Sequence, residues 1–369
     1  MTRPRILTGI DLPLEPSCGS TIWCSDVYHR LAGDFRSTFL ALPGSGVWQH
    51  RFEETTDLRA AKQPYGPDFP RYAEELTDEV ARLVRDRRPD LIHAQHLGFG
   101  LALAFARAAG STPLISIAHG TDVIAAAEND QASEALIEIV TASTAVAVPN
   151  APMAERVNAL TGGRFADRLV TVPWGLPLPD RPTVRPTEGR RLRLLHAGRL
   201  DANKSTATAI DALALTSEGH DLTVIGSGSE LLALTSRAAD LGLTDRIRFE
   251  PFMPREELWR RFADFDAFLF TTKQLEAFGL VAVEAQAHGL PVVYGDLPGL
   301  RHTLGAGALA YQPGDAAALA ACVDQLAEDP GLRRTLSIAA AVSARRHDIR
   351  TTAAHLRNLS KSVLGVARV

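Results

Sequence analysis

Two short stretches of this chain group residues able to hold an anion together with the hydroxyls beside it. In 275–284, LEAFGLVAVE, the carboxylates Glu276 and Glu284 are separated by seven residues. Residues 277–279 follow a strand-like apolar run, and 280–287 has the pattern of a helix. The first turn of a helix presents free N–H groups and a positive dipole end, a setting for phosphate. Gly279, with no side chain, lets backbone approach a ligand closely. Glu276 then sits on the loop before the helix, and Glu284 about one turn inside it. Separated carboxylates beside an anion site suit sugar hydroxyls better than a metal. The second stretch is 196–205, HAGRLDANKS. A strand ends at Gly198, and Arg199 and Lys204 follow in the loop before a helix. Arginine grips phosphate oxygens through a planar fork and lysine adds a point charge, which together match a diphosphate.

These loops need a scaffold, and the hydropathy pattern supplies one. Apolar runs at 5–8, 37–42, 90–94, 113–118, 144–148 and 169–172 read as buried strands, separated by helix-period stretches such as 72–87, 131–141 and 151–160. Runs without alternation, with helices between them, predict a parallel sheet covered on both faces. The segment 173–190 holds five of the chain's 22 prolines and reads as a linker. The rhythm then restarts, with strands at 192–196, 221–225, 247–250, 267–270 and 291–294. A last helix over 351–364, stopped at Gly365, is expected to return to the first domain. The chain therefore divides into domains 1–175 and 176–348 with a C-terminal helix in 349–369. Ligands of such sheets lie beyond the carboxyl ends of the strands, so two facing domains imply a cleft.

Composition narrows the partners. The net charge is −4, with −5 in residues 1–175 and Lys62 the only lysine there. No basic stripe marks a nucleic-acid reader, and no Lys/Arg cluster marks an anionic membrane surface. Three cysteines are too few for a disulfide framework, and no apolar run spans a membrane. The expected setting is the cytoplasm, with small-molecule partners and no stable membrane association.

The first domain offers further candidates. His119-Gly120-Thr121-Asp122 follows a strand, and Asp122 is placed to orient the imidazole or cap the next helix. His93 and His96 flank a strand end in HAQH, with no metal expected there. In the loop 9–20, Gly19 allows close approach at a helix start, and Asp11, Glu15 and Asp26 are placed to meet an amine. Two other patterns are set aside. Gly226-Ser227-Gly228 imitates a dinucleotide fingerprint but has Leu231 at the third glycine position, and Asp264-Phe265-Asp266 opens an apolar strand where capping or solvation is expected.

Four motifs occur in one order: Gly198-Arg199…Lys204, Val224-Ile225-Gly226-Ser227-Gly228, Phe252-Met253-Pro254…Glu257-Leu258, and Glu276-Ala277-Phe278-Gly279-Leu280…Glu284-Ala285. In order and spacing this set resembles the retaining family 4 glycosyltransferases, closely over 192–300 and more weakly over 1–175. The resemblance implies an α/β GT-B fold of two doubly wound Rossmann-like domains facing an interdomain cleft, with the acceptor on the first domain and a nucleotide sugar on the second. It implies that Arg199 and Lys204 hold the donor diphosphate. Glu276 would contact the transferred sugar and Glu284 the ribose. Amides of Phe278, Gly279 and Leu280 would lie near sugar and phosphate, Met253 and its neighbours near the base, and Gly19 and Gly198 against the donor. His119 would lie close to the reacting sugar, and together with Arg199, Lys204 and Glu276 makes the expected catalytic set. Asp11, Glu15, His119 and Asp122 form the expected acceptor side. The expected reaction is transfer from a nucleotide diphosphosugar, UDP-linked, to a hydroxyl of a small soluble acceptor such as an aminocyclitol in antibiotic biosynthesis, with no cofactor and no metal. A lipid or polysaccharide transferase and a non-catalytic nucleotide-sugar-binding protein are the alternatives.

Overall fold

The computed structural model describes residues 3–44, 48–183, 188–274 and 276–366. It divides into two compact units, Met1–Pro177 with Ile349–Val369, and Leu178–Asp348. Part of the proline-rich linker, 184–187, lies outside the described residues, as does Leu275 of the two-glutamate segment.

The first unit is built on a seven-stranded, wholly parallel sheet: β1 (Arg5–Pro13), β2 (Arg36–Leu42), β3 (Glu54–Asp57), β4 (Leu91–Gln95), β5 (Leu114–Ile117), β6 (Ala145–Val148) and β7 (Leu169–Thr171). The order across the sheet is β3-β2-β1-β4-β5-β6-β7. Strands such as Leu91–Gln95 and Leu114–Ile117 are buried along their whole length, as a sheet covered on both faces requires. The C-terminal helix Ile349–Val366 belongs to this unit. The Ile349 amide donates to the Leu176 carbonyl at 3.0 Å, and the Thr352 hydroxyl to the Pro173 carbonyl at 2.7 Å. Further along, Arg357 and Lys361 both reach Asp34 at 2.6 Å. Lys361 foremost, helped by Arg357, holds the Asp34 carboxyl below its ordinary range. The helix runs through Gly365 rather than stopping before it.

The second unit repeats the plan with six parallel strands: β8 (Arg193–Ala197), β9 (Asp221–Ile225), β10 (Ile247–Glu250), β11 (Ala267–Phe270), β12 (Val292–Gly295) and β13 (Ala308–Tyr311), ordered β10-β9-β8-β11-β12-β13. One continuous core joins Leu194, Leu222, Val224, Leu269 and Val293 of the sheet to Ile210, Leu213, Leu319, Val323 and Leu336 of the helices. Each such aliphatic side chain contributes about 1.5–3 kcal/mol by leaving water. β3 and β13 are absent from the sequence reading. Both lie at or next to a sheet edge; ETTD is largely polar and partly exposed, and ALAY is only four residues long, so neither has the buried apolar run that betrays an inner strand.

Gly226-Ser227-Gly228 has a structural explanation. A Cβ on Gly226 would lie 1.9 Å from the Gly198 carbonyl oxygen, and one on Gly228 2.2 Å from that of Leu200. The loops after β8 and β9 thus pack main chain on main chain, with the Leu200 amide donating to Ser227 at 2.9 Å and that of Glu230 to Leu200 at 3.0 Å. Gly226→Ala should lower stability by at least about 2 kcal/mol, because the obstacle is backbone and not a flexible side-chain end. Urea unfolding measures this, and a variant as stable as the parent would show that the two loops separate freely.

Candidate active site

In both sheets the strand order reverses beside the first strand, between β1 and β4 and between β8 and β11. Loops leave a reversal point toward opposite faces and open a crevice there. In the second unit Lys204 follows β8 and Glu276 follows β11. Their side chains meet across the reversal, Nζ to Oε2 at 2.8 Å, with 18% and 15% of each exposed. The other carboxylate oxygen of Glu276 accepts from the amides of Gly279 at 3.0 Å and Phe278 at 3.4 Å. Gly279, at φ 73°, caps the helix Leu280–Ala287, so Glu276 occupies that helix's N-terminal anion position. A Cβ on Gly279 would come within 2.8 Å of Leu300 Cδ2. Gly299 is equally constrained, since its Cβ would meet the carbonyls of Glu276 and Ala277 at 2.7 and 2.9 Å.

Around this pair, buried His196 ties the two loops together. Its Nδ1 faces the Leu269 carbonyl at 3.0 Å and its Nε2 faces Thr206 Oγ1 at 3.0 Å. Burial pushes its pKa down to about 4. Arg199 is exposed and pairs with Asp201 at 3.4 Å. Glu284 is buried and pairs with Arg255 at 2.8 Å. Breaking one side of such a pair strands a buried charge and costs about 3–5 kcal/mol.

In the first unit the loops after β1, β4 and β5 converge. His119 is 5% exposed, and its Nε2 lies 2.9 Å from Gln95 Oε1. Its ring stands edge-on to Trp174, with centroids 4.8 Å apart, and to Trp23 at 5.4 Å, while His96 lies at 4.1 Å. Trp23 and Trp174 stack at 4.5 Å. Burial pushes His119 well below the usual histidine range, and His96 adds to the effect. Strain collects in the loop after β4, where His96 has φ 74° and Phe99 φ 67°.

A family model described as "Glycosyl transferases group 1" matches residues 182–342, and one described as "Glycosyl transferase 4-like domain" matches 23–175. The chain is 31% identical over 294 residues to D-inositol 3-phosphate glycosyltransferase 1 of Catenulispora acidiphila, a match covering 71% of this chain and 69% of that protein. The chain belongs to the family 4 glycosyltransferases. It is also 31% identical to the 2-deoxystreptamine glucosyltransferase of Streptomyces kanamyceticus, over 45% of this chain and about half of that one, 47%. Anabaena HepE, solved in complex with UDP and glucose, shares the fold at TM-score 0.79 and 19% identity, across 98% of this chain and all of that one. The fold is GT-B.

For this glycosyltransferase the second unit brings Lys204, Glu276, Phe278, Gly279 and Leu280 together at one point. Gly198 lies in the same loop cluster, while Arg199 reaches out to solvent. Met253 is half-buried on the loop after β10, two residues before Arg255. In the first unit Gly19 opens the helix Gly19–Leu31, and half-buried Glu15 lies just before it. Asp11 and Asp122 have a different task from the acceptor contact expected of them. Asp11 is buried and accepts from Tyr72 at 3.0 Å and the Gly100 amide at 3.2 Å, with Lys62 Nζ 3.8 Å away. Asp122 takes the amides of Leu97, His119 and Gly120. It positions the main chain of the turn and not the imidazole. Asp266 accepts from the Arg193 amide at 2.8 Å, and Asp264 pairs with Arg261 at 2.8 Å. Among the described residues no cluster of three or more His, Cys, Asp or Glu side chains is placed to hold a metal ion, and no helix is long and apolar enough to cross a membrane.

The sequence reading missed Trp23, Trp174, Arg255 and Gly299. Arg255 had a visible signal, a cation immediately after the Phe252-Met253-Pro254 motif. The two tryptophans are 151 positions apart and had none.

The first unit's histidines predict a pH dependence. Burial pushes His93 down to about 3 and lowers His96 and His119. The folded unit keeps these rings neutral, whereas the unfolded chain protonates them near pH 6.5. Their contribution is complete above that value and is lost as pH falls below it, by at most roughly 1.4 kcal/mol per pH unit for a ring that stays neutral in the folded unit. Urea midpoints should therefore drop steadily from pH 7 to about pH 5; a flat profile would show that the folded rings take up protons freely.

Proposed function

We propose that this glycosyltransferase moves a hexosyl group from a UDP-sugar to a hydroxyl of a small cyclitol, with retention at the anomeric carbon. The observation that carries the reading is the meeting of Lys204, Glu276 and the helix N-terminus at Gly279 at the sheet reversal of the second unit. In the structure the Glu276 carboxylate holds the ammonium and the amides that suit a diphosphate. Donor binding exchanges one anion for another, freeing Glu276 to accept from sugar hydroxyls while Lys204, Arg199 and the amides turn to the phosphates. Those cations and dipoles stabilise the charge that grows on the departing diphosphate. The bond from the anomeric carbon to phosphate oxygen breaks, a bond to the acceptor oxygen forms on the same face, and the acceptor's proton passes to the leaving phosphate. That route needs no separate general base.

The relatives' names support the acceptor class. One names inositol 3-phosphate and the other 2-deoxystreptamine, and both are ring polyols. With Asp11 engaged internally, the expected preference for an amine loses one of its carboxylates, which favours recognition through hydroxyls. HepE's complex with UDP and glucose supports the donor class.

The test is a mass-spectrometric screen of UDP-sugars against myo-inositol, inositol 3-phosphate and 2-deoxystreptamine, with and without EDTA. A glycosylated cyclitol that forms in EDTA is expected. Lys204→Ala should lower kcat about 10²- to 10³-fold, as loss of one preorganised charge donor does. UDP release without cyclitol product would redirect the acceptor to lipids or polymers, and donor binding without any turnover would make the chain a binding protein.

A further inference from the structure

Six side chains of the first unit form a continuous hydrogen-bonded chain, and counting their protons leaves one arrangement. Ser360 Oγ, on the C-terminal helix, lies 2.7 Å from the Leu356 carbonyl. A carbonyl only accepts, so the hydroxyl proton is engaged there. His93 Nε2, 3.1 Å from Ser360 Oγ, must therefore be the donor. The His93 ring is neutral, pushed down to about 3 by burial, so its Nδ1 carries only a lone pair. Tyr28 Oη, 2.8 Å from that nitrogen, donates to it.

Gln95 meets Tyr28 Oη at 2.8 Å and Thr8 Oγ1 at 3.0 Å. With the tyrosine proton already engaged, the Gln95 group facing it is the NH2. Thr8 then donates to Tyr28 across 3.1 Å. This turns Gln95 Oε1 toward His119, and the His119 Nε2, at 2.9 Å, must carry the proton. His119 is neutral, so its Nδ1 is a bare lone pair. Among the described residues nothing hydrogen-bonds this atom, although it is buried. His96 Nδ1 and Trp23 Nε1, on the neighbouring rings, likewise lack partners.

We propose that this chain of hydrogen bonds fixes His119 as the Nε2–H tautomer, with Gln95 as the positioning residue, so that Nδ1 accepts from a hydroxyl of a bound sugar or acceptor. Only the ligand's identity rests on the transferase reading. A lone pair held in this way admits an O–H or N–H donor and repels a phosphate or carboxylate oxygen. The atom therefore selects the hydroxyl-bearing end of a ligand over its anionic end.

The experiment is two-bond ¹H–¹⁵N correlation on the full chain with ¹⁵N-labelled histidine. The His119 signals are assigned by their loss in His119→Gln. The wild-type protein should show a protonated Nε2 and an unprotonated Nδ1, unchanged between about pH 8 and 6. In Gln95→Leu the separation between the two nitrogen shifts should collapse toward an averaged value. Ser360→Ala, a milder change at the far end, should do so in part. A protonated Nδ1 or an imidazolium in the wild-type protein overturns the assignment, and so does an unaltered tautomer in a folded Gln95→Leu. The predicted tautomer in a protein that turns over no UDP-sugar would uphold this inference while removing the transferase reading. An active enzyme with the reverse tautomer would do the opposite.

Discussion

A parallel sheet whose strand order reverses has one place where neighbouring loops diverge, and both sheets of this chain put their chemistry there. Between β8 and β11 the consequence is electrostatic: one loop brings an ammonium, the other a carboxylate and a helix N-terminus. Between β1 and β4 it is a packing of rings and amides. Both outcomes need the loops held tightly, because the side chains of a site are only as well placed as the backbone beneath them.

Carboxylates do most of that holding. Buried loop amides need acceptors, and a charged acceptor gives the stronger bond, about 1.5–3 kcal/mol. Asp122 takes three amides from two loops, and Asp11 ties a tyrosine and an amide to the end of β1. Glu276 does the same for the amides of Phe278 and Gly279 but is more exposed than Asp11, 15% against 2% of the side chain, and meets its lysine at 2.8 Å where Lys62 stands 3.8 Å from Asp11. The first two carboxylates are scaffold. Under the proposed function the third is the one a ligand would displace, and exposure would then separate a structural acid from a binding one where the sequence pattern does not.

The architecture was legible because buried parallel strands advertise themselves as uninterrupted apolar runs, and every inner strand was visible in this way. The strands ETTD and ALAY were not, since edge strands lack that constraint. Much of the candidate site in the second unit was legible because its residues cluster within short motifs at loop starts. The ring cluster of the first unit was not, because Trp23, His96, His119 and Trp174 come from four distant segments and meet only in the folded unit. The acidic residues misled for a related reason. A sequence shows that a carboxylate is near a site but not which amides will claim it, and for Asp11 and Asp122 the claimants are 89 and up to 25 positions away.

The two units also divide charge in a way that suits glycosyl transfer. In such a reaction positive charge grows on the sugar ring, which takes on oxocarbenium character, while negative charge grows on the departing group. The cations Arg199 and Lys204, which the proposed function assigns to the diphosphate, belong to the second unit. The first unit's candidate group is an imidazole that burial and His96 keep from becoming a cation. An imidazolium would repel a developing oxocarbenium ion; a neutral ring presenting a lone pair does not. Under the proposed function, the burial that makes His119 costly to protonate would suit it to a sugar losing its leaving group. The hydrogen-bonded chain from Ser360 adds direction to that neutrality, since it decides which nitrogen the sugar would meet.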